Sequence, residues 1–159
     1  MEIGSRLETA EDEPFVHRLL LESMTGELAA WAWPEAIRAS LLETQYRGKL
    51  AGIEATYPHA DRRILLADGD PAGRIVVHRD DREIHVVDVV VSPELRNRGV
   101  ATYALRRLIE EAERTAKPVT LTVNAFNPAQ RLYLRLGFRR VGGDDLQWRM
   151  ERAAASEVR

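Results

Sequence analysis

Apolar residues recur at helical spacing in four segments of the chain, and this period predicts four helices. The segments begin near residues 9–12, 34, 98 and 127. Pro14 falls in the first turn of the first helix, where the missing N–H of proline is tolerated. The segment 26–33 breaks the helical pattern, so we expect the first helix to end before it. The second helix should span 34–55 and the third 98–115.

Shorter segments alternate apolar with polar residues or are rich in β-branched residues, and they predict seven strands. The expected ranges are 3–8, 63–67, 73–77, 83–91, 119–123, 138–141 and 146–151. The turn residues 68–71 join the second and third strands as an antiparallel pair. The run 83–91 is the most β-branched, so we expect a central strand covered on both faces. This order of elements predicts an α/β fold with a mixed sheet.

The composition is that of an ordinary globular domain and excludes several classes of site. Of the 159 residues, 45% are hydrophobic and 30% are charged. We expect a single domain over residues 1–152 and a disordered tail over 153–159. The net charge of -2 argues against a general nucleic-acid binder. The absence of cysteine excludes disulfides, a cysteine nucleophile and thiolate metal sites.

No segment has the pattern of a membrane span or a signal peptide. The longest apolar run, 86–91, is short and interrupted by Asp88. The N-terminus lacks a basic-then-apolar pattern. His17, His59 and His78 show no metal-ligand spacing. We therefore expect a cytoplasmic protein with no metal and with neither a membrane nor a nucleic acid as partner.

The polar segment between the strand at 83–91 and the third helix indicates an anion site. Arg96, Gly99 and Ala101 fit the pattern R-x-x-G-x-(G/A). Small residues let the backbone approach a ligand, and the N–H groups at a helix start attract an anion. Arg96 and Arg98 add charge-assisted hydrogen bonds, so the expected ligand is a pyrophosphate. The pattern is neither a P-loop nor a Rossmann fingerprint. An ordinary polar turn before a helix-opening glycine is the alternative.

A second motif follows the next strand. The segment 127–138 reads Asn-Pro-Ala-Gln-Arg-Leu-Tyr-Leu-Arg-Leu-Gly-Phe. Asn127 suits a helix N-cap, Pro128 the first helical position and Gly137 the helix end. Together the two segments resemble the GNAT superfamily of acyl-CoA-dependent N-acetyltransferases. The loop is similar to that family's pyrophosphate motif, and the helix is similar to its second cofactor motif.

The resemblance implies a fold, a cofactor and an activity. The expected fold is the GNAT-like acyl-CoA N-acyltransferase fold, with a mostly antiparallel sheet, four flanking helices and a splayed central strand pair. The expected reaction moves an acetyl group from acetyl-CoA to a primary amine by direct attack in a ternary complex. A domain that senses acyl-CoA without turnover is the alternative. Another mononucleotide binder would leave the second motif unexplained.

The resemblance also implies which residues touch the cofactor. The backbone of Val89, Val90 and Val91 would bond the pantetheine arm. Asn127 would hydrogen-bond the cofactor, or only cap its helix. Tyr133 would lie near the thioester sulfur, or only pack on an apolar stripe. The pyrophosphate would be held by Arg96, Asn97, Arg98, Gly99, Val100, Ala101 and Thr102.

Amide formation also needs a base, because an alkyl ammonium with a pKa of about 10.4 must lose a proton before it attacks. His85 lies on the central strand at an offset from Gly99 where several family members carry Glu or His. Asp88 is the second candidate, because a buried carboxylate is costly unless it is paired. The two have opposite parity on a regular strand, so both can face one site only if a bulge intervenes. An ordinary sheet histidine is the alternative for His85.

The acceptor side is expected at residues 24–33 and in the second helix, which cover the acceptor in this family. Trp31, Trp33 and Tyr46 would line an apolar acceptor pocket, or would simply seal the helix layer. The expected acceptor is a small-molecule or peptide amine. The residues do not specify which amine is acetylated, and a homodimer stays an open alternative.

Overall fold

The computed structural model of the chain describes residues 1–28 and 33–154. Within these residues seven strands form one sheet: β1 (Ile3–Leu7), β2 (Asp61–Ala67), β3 (Asp70–Arg79), β4 (Ile84–Val91), β5 (Val119–Asn124), β6 (Arg139–Gly143) and β7 (Gln147–Arg152). Their order is β1-β2-β3-β4-β5-β7-β6. Every neighbouring pair is antiparallel except β4 and β5. The expected mixed and mostly antiparallel sheet is confirmed.

The α-helices of the described residues cover both faces of this sheet. They are α1 (Glu13–Leu28), α2 (Glu35–Thr56), α3 (Val100–Thr115) and α4 (Gln130–Arg135). One apolar cluster contains residues of α3 and α4 together with Leu65 of β2. A second cluster joins Val16 of α1 and Tyr46 of α2 to Ile64. Because neighbouring strand residues point to opposite faces, α1 and α2 lie on one face and α3 on the other.

Most element boundaries differ from the sequence-based expectation by one to about three residues, and three of these differences have a clear physical reason. α1 continues through Gly26 to Leu28, because one glycine costs a helix only about 1 kcal/mol. β3 extends to Arg79, into residues expected to form a turn. α4 begins at Gln130 rather than at Asn127, since the residues before it form a hydrogen-bonded turn.

The turn between β2 and β3 is confirmed as a tight hairpin. Its two central residues, Asp68 and Gly69, have φ angles of 51° and 86°. Positive φ at both positions is the type I′ turn, whose twist matches that of the flanking strands. β3 therefore begins at Asp70 and runs back along β2.

The central strands β4 and β5 separate after a short paired region. Their parallel pairing covers Ile84–Val119, His85–Thr120 and Val86–Leu121. β4 continues along β3 as far as Val91. Beyond Val86 the other edge of β4 has no strand partner in the described chain, which leaves backbone groups available. The splayed central pair is therefore present, and only the first part of β4 is fully covered.

Two further observations concern the described residues as a whole. None of their helices is both long and apolar enough to cross a membrane. No group of three or more His, Asp or Glu side chains among them could hold a metal ion.

At the C-terminal end, Ala154 is buried, although it belongs to the segment expected to be a disordered tail. Residues 155–159 lie outside the described range.

Candidate functional site

A β-bulge interrupts β4 where the strand leaves β5. On β3, Val76 pairs with Asp88 and the next residue, Val77, pairs with Val86. Val87 is therefore the extra residue of the bulge. A bulge shifts by one residue which side chains face each side of a strand.

The bulge brings His85 and Asp88 to the same face of β4. Before it, the even-numbered residues belong to the α3 cluster, and after it Val89 and Val91 do. Val90 instead packs with the α1–α2 cluster. His85 and Asp88 thus both lie on the side of α1 and α2, as their contacts with residues in and after α2 show. The bulge that sequence parity required is present.

The imidazole of His85 is held between an aromatic ring and a hydroxyl. The ring of Tyr57, which directly follows α2, stacks on it with centroids 5.7 Å apart and an interplanar angle of 30°. On β5, the Thr120 hydroxyl oxygen lies 2.8 Å from Nδ1 of His85. The same hydroxyl donates a hydrogen bond of 3.0 Å to Oε2 of Glu83. The ring orientation is therefore fixed by partners on two sides.

The surroundings of His85 favour its neutral form. Burial lowers the pKa of the imidazole, because burial disfavours the charged form. The nearby His78 acts in the same direction, whereas the negative charges of Glu83 and Asp80 oppose it. The net pKa lies below the ordinary value of 6.5. A histidine in this state can accept a proton at neutral pH.

Asp88 is paired with a lysine of α2. The Nζ atom of Lys49 lies 3.1 Å from Oδ1 and 3.1 Å from Oδ2 of the carboxylate. It donates a hydrogen bond to Oδ1, while Oδ2 is buried and has no hydrogen-bond partner among the described residues. The charge of Asp88 is thus balanced by Lys49, and one carboxylate oxygen keeps its capacity to accept a hydrogen bond.

Where β4 and β5 separate, they leave an opening in the sheet. Tyr133 lies on the opposite face of the sheet from His85 and Asp88, in the α3 cluster. The residue is 6% exposed, and its ring packs edge-on against Phe138, with centroids 5.9 Å apart. Burial, followed by the negative charge of Asp88, raises the pKa of the phenol to about 12. No side-chain hydrogen bond within residues 1–28 and 33–154 engages its hydroxyl, and the oxygen is not among the buried atoms that lack a partner, so the hydroxyl reaches solvent although the ring is buried. The hydroxyl is therefore a proton donor without an acceptor in the described protein.

The loop before α3 presents a series of backbone donors. Asn97 and Gly99 have positive φ angles of 63° and 87°. The N–H groups of residues 97–102 bond to no backbone acceptor in the described part of the chain. The exposed side chains of Arg96 and Arg98 form no ion pair with described residues. A Cβ on Gly99 would meet no atom within 4 Å, so the space beside these donors is open. Residues 96–102, the anion loop, therefore have the features expected of an anion site.

The second motif forms the short helix that carries Tyr133. Oδ1 of Asn127 accepts the N–H of Ala129 at 2.9 Å, which forms a turn just before α4, whereas Ala129 occupies the N-cap position of the helix and no side chain caps it. At the other end, the N–H of Phe138 bonds to the carbonyl of Tyr133, and Gly137 has a φ of 94°. This is a Schellman ending, which needs glycine at the left-handed position. A contact of Asn127 with the cofactor stays a prediction.

The three residues predicted to contact the acceptor have different surroundings. Tyr46 is buried in the α1–α2 cluster, with its ring 4.7 Å from that of His17. Trp33 precedes α2 and is 40% exposed. Trp31 lies outside the described residues. Tyr46 therefore seals the helix layer, and an acceptor contact of any of the three stays a prediction.

Sequence reasoning missed the partners of the two candidate bases. Lys49, Tyr57 and Thr120 lie far along the chain from His85 and Asp88, and no local motif marks them. Only the fold of α2 onto β4 and the parallel register of β5 bring them together. The sequence does distinguish Lys49 in one respect. Lys49 and Lys117 are the lysines of the chain, and arginine occupies every other Lys/Arg position.

Comparisons with known proteins agree with this geometry. A model of the Acetyltransferase (GNAT) family matches residues 14–138. Aminoalkylphosphonate N-acetyltransferase of Salmonella typhimurium is 27% identical over 139 residues, which cover 82% of this chain and 81% of that protein. Cysteine-rich protein 2-binding protein of Mus musculus is 40% identical over 57 residues, or 36% of this chain. That match spans only 7% of the mouse protein.

A solved structure shows the same fold over almost the whole chain. PaiA N-acetyltransferase from Thermoplasma acidophilum, in complex with coenzyme A, has a TM-score of 0.72 at 17% identity. The likeness covers 96% of this chain and 99% of that one. The family model includes both the anion loop and the helix of Tyr133. The chain therefore belongs to the Acetyltransferase (GNAT) family.

Proposed function

We propose that the protein transfers an acetyl group from acetyl-CoA to a primary amine, which attacks the thioester directly in a ternary complex. The observation that carries this proposal is the opening between β4 and β5, with an anion loop at one end and candidate acid and base groups on its two faces. A binding-only sensor would have no use for a phenol whose ring is buried while its hydroxyl reaches solvent without a partner in the described protein.

The hydrogen-bonding groups at the opening match those that coenzyme A presents. Pyrophosphate oxygens would accept hydrogen bonds from the N–H groups of residues 97–102 and from Arg96 and Arg98. The pantetheine amides would pair with the unpartnered edge of β4 at Val89–Val91, as a further strand would. Asn127 would contact the arm through the side-chain N–H₂, because its oxygen already accepts the N–H of Ala129.

Tyr133 would act on the leaving thiolate as a hydrogen-bond donor. The pKa of the phenol is about 12, whereas a thiol has a reference pKa of about 8.5. Full proton transfer from Tyr133 to the thiolate would thus be uphill by roughly three pKa units. A hydrogen bond that strengthens as charge develops on sulfur avoids this cost and still favours the transition state.

His85 would remove the proton of the attacking amine, directly or through water. Its lowered pKa keeps the imidazole neutral near pH 7, which is the form that can accept a proton. Asp88 lies on the same face and is the second candidate, but Lys49 already balances its charge.

The acceptor is a small-molecule or peptide amine. The name of the Salmonella typhimurium relative gives an aminoalkylphosphonate as its acceptor, so amines of this class belong in the first test. Trp31, Trp33 and Tyr46 are proposed to form the acceptor side with α1 and α2, which cover the face on which His85 and Asp88 lie.

The experiment is an amine-panel assay that follows the release of the coenzyme A thiol. The panel contains aminoalkylphosphonates, polyamines, amino acids and peptides with free N-termini. At least one amine should give turnover above hydrolysis, with the acetylated product found by mass spectrometry. Acetyl-CoA binding without turnover on any amine would support the sensor alternative, and absence of binding would contradict both.

A further inference from the structure

We infer that Glu83 and Thr120 are positioning residues which fix the tautomer of His85, so that Nε2 carries the lone pair used as the base. This inference rests on the proposed role of His85 in removing the amine proton. It assigns a function to two residues outside both cofactor motifs.

The direction of the hydrogen bonds follows from the number of protons available. An ionised carboxylate only accepts hydrogen bonds, so the single hydroxyl proton of Thr120 goes to Oε2 of Glu83, 3.0 Å away. The hydroxyl oxygen can then only accept in its 2.8 Å contact with His85. Nδ1 must therefore carry the N–H. A neutral imidazole has one N–H, so its lone pair is on Nε2.

The register of the sheet holds the three groups in place. His85 and Thr120 are direct partners in the parallel pairing of β4 with β5. Glu83 precedes His85 by two residues and points to the same face of the strand. Threonine is β-branched, so its χ1 angle is restricted and its hydroxyl keeps its direction. These contacts lie at the paired end of β4, immediately before the strands separate.

The other nitrogen of His85 is left available. Nε2 makes no hydrogen bond to any residue that the structure describes, and it is absent from the buried atoms that lack a partner. Tyr57 covers the flat face of the ring but offers no contact in the ring plane at Nε2. The hydrogen-bond chain from Glu83 through Thr120 to Nδ1 thus leaves the basic nitrogen accessible.

The charged and titratable groups around the ring come from several elements. Glu83 precedes the same strand, His78 and Asp80 come from β3 and the residues after it, and Tyr57 follows α2. Glu83 therefore has a second effect, since its charge stabilises the imidazolium that forms when the base takes a proton. A carboxylate that contacts a catalytic histidine directly is a common way to orient the ring. Here the carboxylate of Glu83 acts through the hydroxyl of Thr120 instead.

The first test measures the tautomer itself, without acetyl-CoA. Nitrogen-15 NMR of the histidine side chains distinguishes a protonated from an unprotonated ring nitrogen. A His85→Gln variant assigns the signals of His85 among the four histidines of the chain. At a pH where the ring is neutral, we expect Nδ1 of His85 to be protonated and Nε2 to be unprotonated. The opposite tautomer, or an equal mixture, would overturn the inference.

Matched variants of Thr120 separate positioning from packing. Thr120→Val keeps the β-branched shape and removes the hydroxyl, while Thr120→Ser keeps the hydroxyl. In Thr120→Val we expect a mixture of tautomers and a fall in kcat of about tenfold, with KM for acetyl-CoA changed by less than about twofold. Thr120→Ser should restore the single tautomer and most of kcat. An unchanged tautomer in Thr120→Val would contradict the inference.

Glu83→Gln provides a second variant that does not touch the ring. A glutamine can donate to the Thr120 oxygen, which frees the hydroxyl proton to bond Nδ1. We expect the second tautomer to appear and the pKa of His85 to fall, because a negative charge is lost.

A failure of the proposed function would appear as absence of amine acetylation in the unaltered protein, with the NMR result unaffected. The two failures are therefore distinguishable.

Discussion

Burial shifts the pKa values of the two candidate acid–base side chains, Tyr133 and His85, in opposite directions, but both side chains are neutral near pH 7. It raises the pKa of the Tyr133 phenol and lowers that of the His85 imidazole, because in each case the charged form loses water. A neutral phenol donates a hydrogen bond, and a neutral imidazole accepts a proton. The two residues lie on opposite faces of the opening, so each is suited to one side of the reaction.

Removing the hydroxyl of Tyr133 tests its role at the sulfur. Tyr133→Phe keeps the ring that packs against Phe138, so the fold should be retained. We expect kcat to fall about tenfold if the hydroxyl only hydrogen-bonds the thiolate. Full proton transfer would be worth roughly 10² to 10⁴ in rate. The measurements are kcat and the affinity for acetyl-CoA, which should change little. A kcat within a factor of about two of the unaltered enzyme would leave Tyr133 as a core residue only.

The pH dependence of the reaction tests His85. Since the pKa of His85 is lowered from 6.5, the activity of the unaltered enzyme should fall with decreasing pH and reach half its plateau at a pH below 6.5. His85→Ala should lower activity more at neutral pH than at high pH, where the amine loses its proton without help. The measurement is kcat/KM across this range, with Asp88→Asn as the comparison. An unchanged profile in His85→Ala would leave Asp88 or water as the base.

At the scale of elements, two turns need glycine for the same backbone reason, but only one of them belongs to the anion loop. Gly99 opens α3 with a φ of 87°, and Gly69 closes the β2–β3 hairpin with a φ of 86°. A Cβ at either position would meet no protein atom within 4 Å. A side chain at either position therefore destabilises the fold only through the positive φ angle. Gly99 belongs to the anion loop, whereas Gly69 does not.

This similarity provides a matched pair of variants. Gly99→Val and Gly69→Val should both lower the free energy of unfolding by about 1–2 kcal/mol, because each forces a β-branched residue into the left-handed region. Only Gly99→Val should also weaken acetyl-CoA binding, by at least about tenfold, because its side chain enters the space beside the donors. Calorimetry measures both affinities. Equal affinities in the two variants would remove Gly99 from the cofactor site.

The junction between β1 and α1 depends on a carboxylate with a low pKa. Asp12 accepts hydrogen bonds from the Arg6 guanidinium at 2.7 and 2.8 Å and from the N–H of Thr9 at 2.8 Å. The bond from Arg6 is the largest cause, and together they lower the pKa of Asp12 from 3.8 to about 2. The carboxylate thereby links the first strand to the start of the first helix.

The contribution of Asp12 to stability should therefore depend on pH. Because its folded pKa is lowered, the stabilisation is complete above about pH 4 and is lost as the pH falls towards 2. Asp12→Asn should reduce the melting temperature at neutral pH, and the difference from the unaltered protein should shrink below about pH 4. Thermal unfolding followed by circular dichroism measures it. A difference independent of pH would show that the charge of Asp12 contributes nothing.

At the scale of the whole molecule, the proposed cofactor site can form only in the folded sheet. The loop follows β4 and Tyr133 follows β5, so the two motifs face one opening only when these strands have paired at their other end. A ligand that binds this arrangement binds the folded state and not the unfolded chain. It must then stabilise the fold by mass action.

Acetyl-CoA should accordingly raise the melting temperature. At 100 times its Kd the expected stabilisation is about 2.7 kcal/mol, which corresponds to roughly 5–10 °C for a chain of this size. Differential scanning fluorimetry gives the shift, and Gly99→Val should show a smaller one at the same concentration. No shift and no calorimetric heat at millimolar acetyl-CoA would contradict the proposed cofactor.

Local patterns along the chain were sufficient to predict the elements and the family. Helical and strand periods predicted the four helices and seven strands, and glycine and asparagine marked Gly99, Asn127 and Gly137 as turn or cap positions. These features depend on neighbours within a few residues, so the order of residues carries them. The errors in the elements were confined to boundaries, where one glycine in α1 cost less than the contacts of the helix contributed.

The arrangement of the candidate site depends instead on contacts between distant segments. The bulge at Val87, which places His85 and Asp88 on one face, exists only in the pairing of β4 with β3. Lys49 meets Asp88, and Thr120 meets His85, across 39 and 35 positions of the chain. No local pattern encodes these contacts, because strand register and helix docking are set by which residues pack together in space. The two family motifs could thus be read from neighbouring residues, whereas long-range packing sets which side chains share one face of the candidate site.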